Sequence, residues 1–253
     1  MRDQAFNKTQ WISNFRAKSD AWAVCSQDRE AQDVIIPSDK RIPGELHCIE
    51  PAEETTTILQ QVSTNMGLHA HGFRIHNAAL SNYTGTTKFV QSSTFAGAEH
   101  LSIHSCYNPA YQHMCKDVPV YTLDDYVVQF VENQDAPIDY LSIDAEGSDF
   151  DVLRGGVETL KRARYLEFEV LSTGTWAHHG VMQAIYFLHQ DFICYWAGKG
   201  RLFRITDCVN HILRSLYDRN YWANVACVNR REKDLIERME KIFRETLDMP
   251  PKI

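Results

Sequence analysis

The chain has 253 residues, 44% of them hydrophobic and 23% charged, with a formal net charge of −7. That length suits one sizeable α/β domain. The acidic balance, with Lys and Arg scattered rather than striped, argues against nucleic-acid binding. No run of about 18 apolar residues is present to span a membrane as a helix.

In chain order, the first 45 residues form a poorly defined segment. Ala21–Cys25 (AWAVC) reads as a short strand and Asp28–Gln32 as a helical turn, and Pro37, Pro43 and Gly44 mark a loop. Leu46–Ile49 is a short apolar strand ending at Glu50–Pro51, and a helix runs from Glu53 through Val62. An acid after a strand and before a helix is placed to accept the two ribose hydroxyls of a nucleoside; equally, it is an ordinary helix-start acid favoured by the macrodipole. Phe73–Leu80 reads as one strand, Ser81–Gly85 as a turn, and Thr86–Val90 as an alternating hairpin arm. Gln91–Asp117 lacks sustained periodicity and reads as a long loop able to cover a site.

Within that loop His100 and His104 would share a helical face, but no further ligand is evident, so solvated or hydrogen-bonded histidines are the favoured reading. The adjacent pair His178–His179 points in different directions and is read the same way, and no metal site is assigned. Val118–Val120 is a short strand, and the Thr122 hydroxyl caps a helix from about Leu123 to Glu132.

Ile138–Gly156 (IDYLSIDAEGSDFDVLRGG) is the most informative stretch. A buried strand, Ile138–Ile143, runs into the corner Asp144–Ala145–Glu146–Gly147, and Phe150, Leu153, Val157 and Leu160 then recur at helical spacing. In open α/β sheets, ligands bind at the carboxyl ends of strands. Tyr165–Val170 (YLEFEV) is a further buried strand in which Glu167 and Glu169 share one face. Glu169 reads either as a site acid or as a core-edge carboxylate bonded to backbone. Val181–His189 is helical, and Phe192–Trp196, Leu202–Ile205 and Ala223–Val228 are strands. From residue 231 onward an amphipathic helix carries Leu235, Ile236, Met239, Ile242, Phe243 and Leu247 on one stripe, read as packing on its own domain.

Seven cysteines, an odd count with no C-x-x-C pair, are read as reduced and mostly buried thiols rather than a disulfide framework. The amino terminus has no apolar signal core, so the chain as written reads as cytoplasmic. Two N-x-Ser/Thr sequons, at Asn7 and Asn82, keep a secretory route open if the true start lies upstream.

Taken together, LHCIEP, HNAALSNYTGTTKF, VPVYTLDDYV, IDYLSIDAEGSDFDVLRGG and YLEFEV resemble the FkbM family of S-adenosyl-L-methionine-dependent methyltransferases. The similarity runs from about Leu46 to Val228, and the tail resembles eukaryotic members. It implies a Rossmann-like class I fold over residues 46–230, with a seven-stranded sheet, helices on both faces and the last strand antiparallel. It also implies S-adenosyl-L-methionine as cofactor and a hydroxyl on a sugar, lipid or other small molecule as acceptor. Glu50 would hold the ribose, Asn77 and Ala78 would lie near the adenine, and Asp144 through Gly147 would border the methionine moiety. Asp144, Glu146 or Glu169 would be the base, and the resemblance does not choose among them.

Two positions depart from the family pattern. Ser142 stands where Lys is usual before the Ile-Asp pair. The glycine-rich loop expected after a first strand is not found: Gly44 is the only glycine among the first 66 residues. The reading therefore keeps two alternatives, an active O-methyltransferase and a non-catalytic binding or structural protein on the same fold. A nicotinamide-dependent dehydrogenase would need a G-x-G-x-x-G motif, which is absent. Oligomeric state is not legible from the sequence.

Overall fold

The computed structural model describes residues 44–91, 101, 103–198, 201–207 and 222–246. Ala21–Cys25, Asp28–Gln32, Asn7, His100 and Leu247 lie outside them. The described residues form a mixed α/β structure with three sheets. Strands β1 (Leu46–Ile49) and β2 (Phe73–His76) pair in parallel and are joined by helix α1 (Glu53–Met66). Strand β3 (Ala79–Ser81) lies parallel to β5 (Cys115–Thr122), whose other edge takes β4 (Gly85–Val90) antiparallel. After helix α2 (Leu123–Phe130) comes the largest sheet. Its strands are β6 (Leu141–Ile143), β7 (Tyr165–Leu171), β8 (Phe192–Gly198), β9 (Arg201–Arg204) and β10 (Trp222–Asn229), in the order β6-β7-β10-β8-β9. Helices α3 (Asp149–Arg154) and α4 (Val157–Arg162) connect β6 to β7, α5 (Trp176–Leu188) connects β7 to β8, and α6 (Lys233–Thr246) follows β10.

The main core lies on the five-stranded sheet, where Leu153, Leu166, Phe168, Phe192 and Val225 are wholly buried with Trp176 and Val181. Phe168 and Phe150 both stack on Trp176, at 5.9 and 5.8 Å between ring centres. Burial on this scale is the dominant favourable contribution to folding. A smaller cluster of Leu123, Tyr126 and Val127 on α2 takes Ile49 of β1 and Leu141 of β6 against it. The same helix therefore covers the two-stranded and the five-stranded sheets. The Thr122 hydroxyl accepts from the Asp125 backbone N–H at 3.0 Å, the cap expected for α2.

Several expectations are corrected. Phe73–Leu80 is two strands in different sheets, because Asn77 and Ala78 leave the strand path to tie β2 to the end of β1. β4 does not pair with the strand before it; β5 lies between them, and it is longer than Val118–Val120. The strand within Ile138–Ile143 is only Leu141–Ile143, with Ile138 making a single bridge to Ala163 and Tyr140 exposed. The single helix expected after the acidic corner is two, broken at Gly155–Gly156. A Cβ on Gly155 would stand 2.2 Å from the Ser81 carbonyl oxygen and one on Gly156 2.7 Å from the Leu123 side chain, so close approach dictates glycine at both.

The cysteines are also corrected. Cys194 and Cys227 face each other in the β8–β10 register and form a disulfide, and Cys106 and Cys115 form a second. Partners 33 and 9 residues apart carry no local spacing signature, since pairing is set by strand register and loop closure. Cys48 is the one free thiol among the described residues. Helix α6 packs on its own domain as expected: Tyr195 donates to Glu240 at 2.6 Å, Arg204 pairs with the same carboxylate at 3.0 Å, and Phe243 meets the Tyr195 ring.

Candidate active site

Two strand ends carry the candidate residues. At the end of β1, Glu50 is held by backbone and side-chain ties from four directions. Its N–H donates to the His76 carbonyl at 3.0 Å, and its carbonyl accepts from the Asn77 amide and the Thr56 hydroxyl, each at 3.0 Å. One carboxylate oxygen accepts from the Ala52 N–H at 2.7 Å. Burial pushes the Glu50 carboxyl above its usual range, the Ala52 bond pulls it down, and the nearby Asp144 charge raises it again. The next residue, Pro51, accepts from Asn77 at 3.2 Å and from Gln91 at 2.8 Å, and Gln91 also accepts from the Glu53 N–H at 2.7 Å. Asn77, exposed, is thus a tie between β1 and β2, and Ala78 behind it is buried.

At the end of β6 the chain turns sharply. Glu146 and Gly147 both have positive φ, 48° and 92°. Asp149, wholly buried at the start of α3, holds the turn from inside. One carboxylate oxygen accepts from the Ala145 N–H and the other from the Gly147 N–H, both at 3.1 Å, with the Trp176 indole N–H at 3.4 Å on the second. Burial pushes this carboxyl up to about 7 against the downward pull of its N–H donors. The loop after β7 clamps the same corner: the Gly147 carbonyl accepts from the Thr175 N–H at 2.8 Å and its hydroxyl at 2.5 Å.

The turn presents its acids outward. Asp144, Glu146 and Glu169 each place a carboxylate oxygen within 4.8 Å of the others. Asp144 is exposed, Glu146 half-buried and Glu169 buried at 8% exposure. The three acids named in the sequence as candidate bases therefore converge, Glu169 arriving from β7, which pairs with β6 in parallel. Such a cluster can accept a proton from a hydroxyl, and its oxygen donors are also the type a hard divalent cation takes, a feature absent from the sequence reading.

The Methyltransferase FkbM domain model matches residues 38–194. The chain belongs to the FkbM methyltransferase family. No curated protein and no solved structure matches it. Methyl transfer is the activity that membership of this family indicates.

Sequence reading missed Asp149, the FkbM domain residue that shapes the acidic corner. An acid in a first helical turn is commonplace, and only the arrival of Trp176 from α5 and the two backbone N–H bonds distinguish it. No described helix is long and apolar enough to cross a membrane.

Proposed function

We propose that this chain transfers the methyl group of S-adenosyl-L-methionine to a hydroxyl of a sugar, lipid or small molecule, on a Rossmann-like sheet. The observation that carries the reading is the convergence of two acid-bearing strand ends. Glu50 at the end of β1 and Asp144 at the end of β6 lie close enough for the Asp144 charge to raise the Glu50 carboxyl, and one helix covers both strands. The antiparallel pairing of β10 with β7 supports the Rossmann-like reading, as does the parallel pairing of β1 with β2 and of β6 with β7.

In this arrangement Glu50 accepts the ribose hydroxyls with the carboxylate oxygen not turned to Ala52. Asn77 and Ala78 border the adenine, its amide bonds to Glu50 and Pro51 fixing the shape of that wall. Gly147, with its positive φ and the Thr173–Gly174 backbone packed against it, shapes the turn that borders the methionine moiety, and Asp144 faces the sulfonium end. When bound, the cofactor supplies an activated methyl on a sulfonium centre. The protein's residues orient the acceptor oxygen in line and remove its proton, with Glu169 the base. Glu169 is chosen because it stands on the buried core strand β7, with a carboxylate oxygen within 4.8 Å of those of both other acids. Exposed Asp144 and turn-bound Glu146 position the acceptor.

Titration calorimetry of the purified chain with S-adenosylhomocysteine tests the proposal. Binding is expected, and Glu50→Ala should weaken it at least tenfold through loss of charge-assisted bonds to the ribose. No heat at high micromolar ligand would instead support the non-catalytic reading, which the absence of a glycine-rich loop before Glu50 favours. Unchanged affinity in Glu50→Ala would remove Glu50 from the site.

A further inference from the structure

We propose that Asn82 is a site of N-linked glycosylation, and hence that this fold matures in an oxidising, glycosylating compartment. The inference does not rest on the methyltransferase reading. Two independent observations carry it. The first is a pair of disulfides, Cys106–Cys115 and the wholly buried Cys194–Cys227 within the largest sheet. Structural disulfides form in secretory compartments and are rare in the reducing cytosol. The second is the sequon Asn82-Tyr83-Thr84, whose three residues are all exposed in the turn between β3 and β4. The sequon thus lies in a surface turn, the setting that the modification requires.

The local chemistry is compatible with an attached sugar. The Asn82 amide nitrogen carries two hydrogens, and one is donated to the Asp151 carboxylate at 3.2 Å. Glycosylation replaces one hydrogen and leaves the other. The nitrogen attacks C1 of the reducing-end sugar of a lipid-diphosphate-linked oligosaccharide; the N–C1 bond forms, the C1–O bond to diphosphate breaks, and the nitrogen loses one proton. The lipid diphosphate leaves with the bonding electrons, and no oxidation state changes. Thr84 supplies the hydroxyl two residues on that completes the acceptor motif. In the folded chain that hydroxyl donates to Asp125 and accepts from the Thr122 N–H.

The test is peptide mapping of the full-length protein purified from the cells that make it, before and after peptide-N-glycosidase treatment in heavy-oxygen water. Before treatment the unmodified Asn82 peptide should be missing; afterwards it should appear with an aspartate at position 82 carrying one heavy oxygen. An unmodified Asn82 peptide before treatment overturns the proposal. Expressed in the same cells, Asn82→Gln should lose the glycosidase-sensitive mass at this site while Thr84→Ser keeps it. Retention of that mass by Asn82→Gln, or its loss in Thr84→Ser, would also overturn it. A non-reducing digest should yield linked Cys106–Cys115 and Cys194–Cys227 peptides. Free thiols at all four positions would remove the compartment argument and sink the inference.

Discussion

Replacing Asp149 by Asn tests the electrostatics of the acidic corner most directly. Burial raises the Asp149 carboxyl from its unperturbed 3.8 to about 7, so between those values the folded chain holds a proton that the unfolded chain has lost. Stability must then fall as pH rises across that window, and fall no further above it, because stability follows the excess of protons on the unfolded state. One proton over the two pH units from 5 to 7 amounts to roughly 2–3 kcal/mol. The amide variant has no charge to bury and lacks this slope. It has its own cost: the Asn oxygen can still accept from Ala145, but its NH2 then faces the Gly147 and Trp176 donors, leaving buried N–H groups without an acceptor, at about 1–3 kcal/mol.

The expected pattern is a variant less stable than the parent at pH 5 whose deficit shrinks or reverses by pH 8. Urea unfolding at the two pH values measures it, because titrations common to both proteins cancel in the difference. A deficit that stays constant or grows from pH 5 to pH 8 would mean that Asp149 is ionised throughout, with its three N–H donors outweighing burial. The reasoning about the corner would then be refuted.

Three further outcomes are expected. Glu169→Gln should leave the urea midpoint nearly unchanged and lower methyl transfer about 100-fold or more, the usual contribution of a general base; unimpaired turnover would pass that role to Asp144 or Glu146. Gly155→Ala should destabilise by about 1–3 kcal/mol, because the new methyl meets the Ser81 carbonyl at 2.2 Å and backbone cannot rotate away; an unchanged midpoint would contradict the packing of α3 against β3. Replacing Cys194 and Cys227 together by Ala should cost about 3–4 kcal/mol for opening a loop with a separation of 33 residues, read by urea unfolding without reductant; a loss under 1 kcal/mol would show that the sheet alone holds these strands.

What was legible in the sequence is what is local. Tyr165–Val170 shows its burial as an apolar run, Leu46–Ile49 is legible as a short strand although none of its residues is fully buried, and Thr122 declares a helix start by its own hydroxyl. The acids of the site were legible because they stand at strand ends, where backbone geometry alone places them at one edge of the sheet. The pairing of β4 with β5 was not legible: a turn beside an alternating run looks like a hairpin, and nothing near Ser81–Gly85 reveals that β5 will insert between the two arms. The disulfides were hidden for the same reason, since Cys194 meets Cys227 only through the β8–β10 register. Asp149 was hidden differently. Its chemistry depends on burial beside Trp176, which arrives from α5 and on which Phe150 and Phe168 stack.

The two corners of the candidate site are built on unequal foundations. The acidic corner rests on the five-stranded sheet, where a buried carboxylate and a core tryptophan hold the turn from below. The Glu50 corner rests on β1 and β2, in which every residue is at least partly exposed, and its shape comes from side-chain ties by Asn77, Thr56 and Gln91. Polar ties at a partly exposed edge contribute little stability each, but they fix direction. If Glu50 holds the ribose as proposed, a substitution in those ties should impair that recognition before it impairs folding, whereas a substitution beneath the acidic corner disturbs the core and the candidate base together. On the proposed reading, that asymmetry makes cofactor affinity the quantity free to vary, and the geometry of the three acids the quantity bound to the fold.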